Sequence, residues 1–101
     1  MITMHPGEYL QLAYMEPLGL QQVDVAKRLD ISPSTLSRLI SGSIELTAPM
    51  AVRLSIVFGR SPESWLAMQA SHSLVSAREE IDAAKLMPVN YEPVANKVEL
   101  A

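Results

Sequence analysis

A chain of 101 residues that is 49% hydrophobic but only 5% aromatic builds one mainly aliphatic core, with little room for a second domain. Lacking cysteine, it has no disulfide framework, thiolate metal site or cysteine nucleophile, which suits a reducing cytoplasm. The net charge of −3 is weak for a nucleic-acid binder, but it is unevenly placed: five cations cancel five carboxylates through residue 60, and beyond it three cations face six carboxylates.

The first expected helix runs from about Pro6 to Glu16, with a proline and Glu8 in its first turn, and Pro17 and Gly19 break it. The second runs from about Gln21 to Leu29. The third takes Ser32 as N-cap and Pro33 as its first residue, and stops at Gly42. The fourth is capped near Thr47 and runs from Ala48 to Phe58, with an apolar stripe through Met50, Ala51, Leu54, Val57 and Phe58. The fifth opens on Ser61-Pro62-Glu63 and, since nothing breaks it before Pro88, is expected to continue to about Lys85. A stripe along it through Ala70, Leu74, Ala77 and Ile81, preceded by Leu66, is longer than one small bundle needs, and these five residues are the candidate dimerisation surface. Residues 86–101 contain two prolines and no helical period, and are expected to form an extended or disordered tail behind a domain of residues 1–85. The class is all-α.

The middle of the chain carries the clearest pattern. With Gln22 as the first of twenty positions, a helix-turn-helix needs apolar residues at positions four, eight, ten, fifteen and eighteen. They are Val25, Leu29, Ile31, Leu36 and Leu39. Position five faces the close helix crossing and is the small Ala26. Position nine, usually glycine because its backbone is left-handed, is Asp30, one of the few residue types that tolerate that region. On the third helix Leu36, Leu39 and Ile40 form the inner face, and Ser34, Ser37, Arg38 and Ser41 the outer one. Such a face fits a major groove, where the planar fork of Arg38 matches guanine O6 and N7. Ser34, Thr35 and Ser37 suit bases or phosphates, and Pro33 shapes the start of the helix. Ser32, Ser41 and Ser43, at its two ends, complete the candidate DNA-binding set together with Gln22.

Three segments, "HPGEYLQLAYMEPLGL" (His5 to Leu20), "ISPSTLSRLISG" and "LTAPMAVRLSIVFGRSPESWLAMQ" (Leu46 to Gln69), together resemble the HigA-type antitoxins of the Xre/phage-repressor-like helix-turn-helix group. The resemblance covers about residues 5–80. It implies a five-helix, lambda-repressor-like DNA-binding fold and a homodimer on a palindromic operator in its own promoter. It further implies neutralisation of a HigB-type, RelE-like toxin that cleaves mRNA. Under it, Gln22 matches the residue that caps the second helix against a phosphate, and Ser34, Thr35, Ser37 and Arg38 match base-facing positions. The chain departs from the family pattern after the recognition helix, where Ser43, Ile44 and Glu45 replace the usual cations. A solo phage-type repressor, or an interaction module that only sequesters a toxin, would share the same pattern.

Other chemistry finds no support. His5 and His72 lie far apart in sequence and suit helix initiation and packing rather than a metal or catalytic pair. No Ser/His/Asp arrangement, nucleophile elbow or glycine-rich phosphate loop is present, and no cofactor or enzymatic activity is expected. Trp65 reads as core. No basic segment followed by an apolar run opens the chain, and no stretch approaches the ~20 apolar residues of a membrane span, so a cytoplasmic location is expected.

Overall fold

The computed structural model describes residues 2–90. Among them there is no strand, and five helices account for nearly all regular structure. Helix α1 covers residues 6–18 and is built of three joined parts, Pro6–Leu10, a π-helical Gln11–Met15, and a closing α-turn Glu16–Leu18. The helix thus passes through Pro17 rather than ending before it. Proline has no N–H and its ring crowds the carbonyl four residues back. The wide turn before Pro17, in which the Glu16 N–H reaches Gln11 O, lets the chain accommodate it. The helix ends at Gly19, left-handed at φ 64°, where Leu20 N–H bonds Met15 O at 2.9 Å.

Helix α2 is Gln22–Leu29, α3 is Pro33–Ile40, α4 is Ala48–Phe58 and α5 is Pro62–Glu80. Three of them start as their cap chemistry requires. The hydroxyls of Ser32, Thr47 and Ser61 accept the N–H of Thr35, Met50 and Ser64. Each is followed within two residues by a proline whose missing N–H costs nothing there.

The fifth helix is shorter than expected. It stops at Ile81, which is extended at φ −94° and ψ 122°, so Ile81 lies just outside the helix whose stripe it was expected to finish. The Asp82 carboxylate accepts the Ala84 N–H at 3.0 Å and starts a separate 3-10 turn, Ala83–Lys85. Residues beyond Glu80 are all exposed through Asn90, so no packing offsets this local competition for backbone donors. Residues 86–90 contain no helix or strand, and the rest of the expected tail, 91–101, lies outside the described residues.

The core is aliphatic around a single tryptophan. Leu10, Val25, Leu29, Leu36, Leu39, Leu54 and Trp65 are all buried, with Ala26 at the α2–α3 crossing. Trp65 donates its indole N–H to Gly59 O at 2.9 Å and meets Tyr9 edge-on at 5.7 Å. Four of the five apolar positions of the helix-turn-helix are buried, and the fifth, Ile31, packs half-buried against the same cluster.

Candidate nucleic-acid interface

The recognition helix is set by its neighbours on three sides. From below, α1 crosses its C-terminal end at Gly7. A Cβ on that glycine would lie 1.8 Å from Leu39 O and 2.8 Å from Ile40 Cα, so only a hydrogen fits. At the turn before α3, Asp30 is left-handed at φ 54°, and Ile31 N–H returns to Ala26 O at 3.0 Å. Arg53, from α4, donates to the carbonyls of Leu29 and Asp30 at 2.8 and 3.1 Å. Its ion pair with the Asp30 carboxylate, at 3.8 Å, is solvent-exposed and contributes little, so the carbonyl bonds are what hold the turn.

The third contact holds the loop after α3. Gly42, at φ 78°, ends the helix, with Ser43 N–H on Arg38 O at 2.9 Å. His5 then ties this loop to the start of α1. Gly7 N–H donates to His5 Nδ1 at 2.9 Å, which leaves Nε2 as the protonated nitrogen donating to Ile44 O at 2.9 Å. Further along, the buried Gln69 accepts Leu46 N–H at 2.8 Å. His5 and His72, 67 positions apart, meet edge to face with ring centroids 5.2 Å apart, and His72 Nδ1 donates to Thr3 O. Their roles as helix cap and packing partner agree with the sequence reading.

Held in this way, α3 presents the expected outward face. Leu36 and Leu39 are fully buried, while Ser34, Ser37, Arg38 and Ser41 are all exposed. The Arg38 side chain has no ion pair among the described residues. The hydroxyls at the ends of the helix are more committed. Ser32 Oγ caps the helix and lies 2.8 Å from Thr35 Oγ1, and Thr35 is half-buried. Ser41 donates to Arg38 O at 3.1 Å and lies 2.7 Å from Ser43 Oγ. Pro33 is exposed as the first residue of α3. Gln22 is the first residue of α2 rather than its cap, which is Gln21, and it too is exposed. The structure therefore brings Ser34, Ser37, Arg38 and Ser41 onto one surface and leaves Glu45 exposed in the loop beyond.

Sequence reasoning missed the three supports. Gly7 stood inside a recognised segment, but its reason is a backbone carbonyl on another helix. Arg53 acts on carbonyls, which no side-chain pattern reveals.

A helix-turn-helix family model matches residues 12–65, from within α1 to Trp65. The HTH-type transcriptional regulator YddM of Escherichia coli K12 is 38% identical over 81 residues, covering 80% of this chain and 85% of that protein. The antitoxin HigA-1 of Vibrio cholerae is 34% identical over 93 residues, covering 88% of each. Among solved structures, the Pseudomonas aeruginosa antitoxin HigA with the higBA promoter matches at a TM-score of 0.77 and 25% identity, over 87% of this chain and 99% of that one. The chain belongs to the HigA-type antitoxins of the Xre helix-turn-helix family. Membership agrees with the resemblance of the three quoted segments and with the all-α fold. For a DNA-binding antitoxin of this type, the outward face of α3 is the surface to test.

One consequence of the supports is a pH dependence. Burial pushes the His5 imidazole below its ordinary value of 6.5, against the raising effect of its bond to Ile44 O. The unfolded chain therefore takes up the proton first, so stability is full above about pH 6.5 and is lost as pH falls through that value toward the folded one. Protonation would also place a hydrogen on Nδ1, where the Gly7 N–H must be accepted. Thermal melts between pH 7.5 and 5 should show this loss in the wild type and a flatter profile in His5→Asn. Parallel profiles would assign the loss to another group.

Proposed function

We propose that this antitoxin represses its own operon as a dimer on a palindromic operator and neutralises a HigB-type, RelE-like mRNA-cleaving toxin in the cytoplasm. The observation that carries the DNA part is the face of α3, with Arg38 exposed and without an ion pair among the described residues, beside three small hydroxyl side chains and opposite a fully buried Leu36–Leu39 face. In this reading Arg38 reads a guanine edge and Ser34, Thr35 and Ser37 contact bases or phosphates. Gln22, Ser32, Ser41 and Ser43 line the phosphate backbone, and Pro33 shapes the start of the helix. Arg53, which lies at the helix-turn-helix, is occupied by its own turn, and the loop beyond α3 offers Glu45 rather than a cation.

Such a monomer has too little charge to hold DNA well, and pairing compensates. A dimer sets two recognition helices about 34 Å apart on one face of the duplex, and linking the half-sites raises the effective concentration of the second. The second half of α5 supports this arrangement, since Ala70 is exposed, Leu74 is 45% exposed, Ala77 is half-buried and the adjoining Ile81 is 56% exposed. Leu66, by contrast, packs against the chain's own core.

Gel shift on the promoter of its own operon tests the reading. Arg38→Ala should cost ~1–3 kcal/mol on the operator and relax selectivity at one base of each half-site. An equal loss on random DNA would make Arg38 a phosphate contact instead. The affinity should also fall less steeply with salt than the slope of about −10 seen for a repressor that neutralises many phosphates. A slope that steep would reveal a basic surface elsewhere.

A further inference from the structure

Past Gln69 no residue of α5 is buried. The second half of the helix stands off the bundle and roofs two adjoining cavities, of about 740 and 410 Å³. Both are lined by His5, Gly42, His72 and Ser76, so they form one groove between the N-terminal segment, the loop after α3, and α5. Ile2, Met4, Ile40 and Val75 make one part apolar. Among the described residues the charged ones lining the cavities are Glu8, Glu45 and Glu80, one from each wall, and no lysine or arginine joins them. Among the described residues the one ion pair is Arg53 with Asp30, so the three carboxylates have no cation of their own. The walls are already held in place, by His5 on Ile44 O and His72 on Thr3 O.

An apolar groove with an acidic rim selects the opposite pattern, an apolar side chain flanked by lysine or arginine. The bundle has little of its own to offer. Arg53 and Arg60 are hydrogen-bonded within it, and Lys27, Arg28 and Arg38 lie on the helix-turn-helix. Arg78, in the last turn of α5, and Lys85, in the turn beyond it, line neither cavity. A protein that grips mRNA, in contrast, must carry a cationic surface for the phosphates.

We infer that this groove is the docking surface for a cationic, apolar-centred segment of the toxin, on which the three carboxylates take the place of RNA phosphates. The inference rests on the toxin reading above. It separates the two activities on one chain, with DNA on the outward face of α3 and the toxin in the groove behind its C-terminal loop.

The test uses the full isotope-labelled chain and its Glu45→Lys/Glu80→Lys variant, both at ~0.15 M salt. A short peptide of alternating lysine and leucine should move the amide signals of Gly42, Ile44, Ser73 and Ser76 in the wild type. Its glutamate–leucine counterpart should not. The variant should keep its amide dispersion and melting temperature but bind the lysine–leucine peptide about 10-fold more weakly or worse. Shifts that map elsewhere, or that persist in the variant, overturn the groove. The same two chains are then mixed with a HigB-type toxin. Binding by the wild type and not the variant supports the site, whereas equal binding overturns the groove and leaves toxin neutralisation standing. If neither chain binds the toxin, the toxin reading itself fails, and the assignment of this groove fails with it.

Discussion

Gly7→Ala should destabilise the protein by ~3 kcal/mol or more, at or beyond the upper end of ordinary overpacking. The added methyl would sit 1.8 Å from the Leu39 carbonyl oxygen, and the obstacles are all backbone atoms of α3. They cannot swing away as a flexible side chain would, so the two helices must separate. That separation would also disturb His5, whose imidazole accepts the Gly7 N–H and bonds Ile44. Gly19→Ala provides the comparison. There nothing lies within 4 Å, but the backbone is left-handed at φ +64°, so only conformational strain of ~1–2 kcal/mol is added. Urea unfolding of both variants measures the difference. Equal losses would show that the α1–α3 crossing yields easily and that Gly7 is not a packing requirement. Since small domains hold only ~5–15 kcal/mol in total, the Gly7 variant should also bind DNA poorly at 37 °C through loss of folded protein.

The second large effect concerns assembly. Leu74→Glu should leave the fold intact, because Leu74 is 45% exposed and outside the buried core. On the dimer reading it places a like charge at the centre of the interface, and the protein should sediment as a monomer. Operator affinity should then drop by ~10²–10⁴, the advantage that linking two weak half-site contacts provides. Binding to an isolated half-site should change little. A variant that stays dimeric with full operator affinity would move the interface off the second half of α5.

How much of this was legible beforehand depended on the range of the physics. Ser32-Pro33 and Ser61-Pro62 marked helix starts correctly, because an N-cap and its proline act within one turn. Val25, Leu29, Leu36 and Leu39 were readable as core since helical period alone puts them on facing sides. Asp30 was rightly placed in the left-handed region for an equally local reason. The two errors of extent were also local in origin but ambiguous in sequence. Pro17 ends a regular helix, yet a π-turn absorbs it, and Asp82 supports a helix or cuts one short depending on whether anything packs on that segment. On the candidate site, the outward positions Ser34, Ser37, Arg38 and Ser41 were legible, and what holds them was not.

By itself, then, the sequence determined the helices, their apolar faces and the side of α3 that turns outward, since those follow from caps and periodicity within a few residues. Tertiary structure alone decided that Gly7 must lack a side chain, that Arg53 anchors the turn, and that His5 and His72 meet. It also placed Glu8, Glu45 and Glu80 around one groove. Each of these depends on atoms far apart along the chain, several of them backbone carbonyls that look the same at every position of a sequence and acquire meaning only from what packs against them.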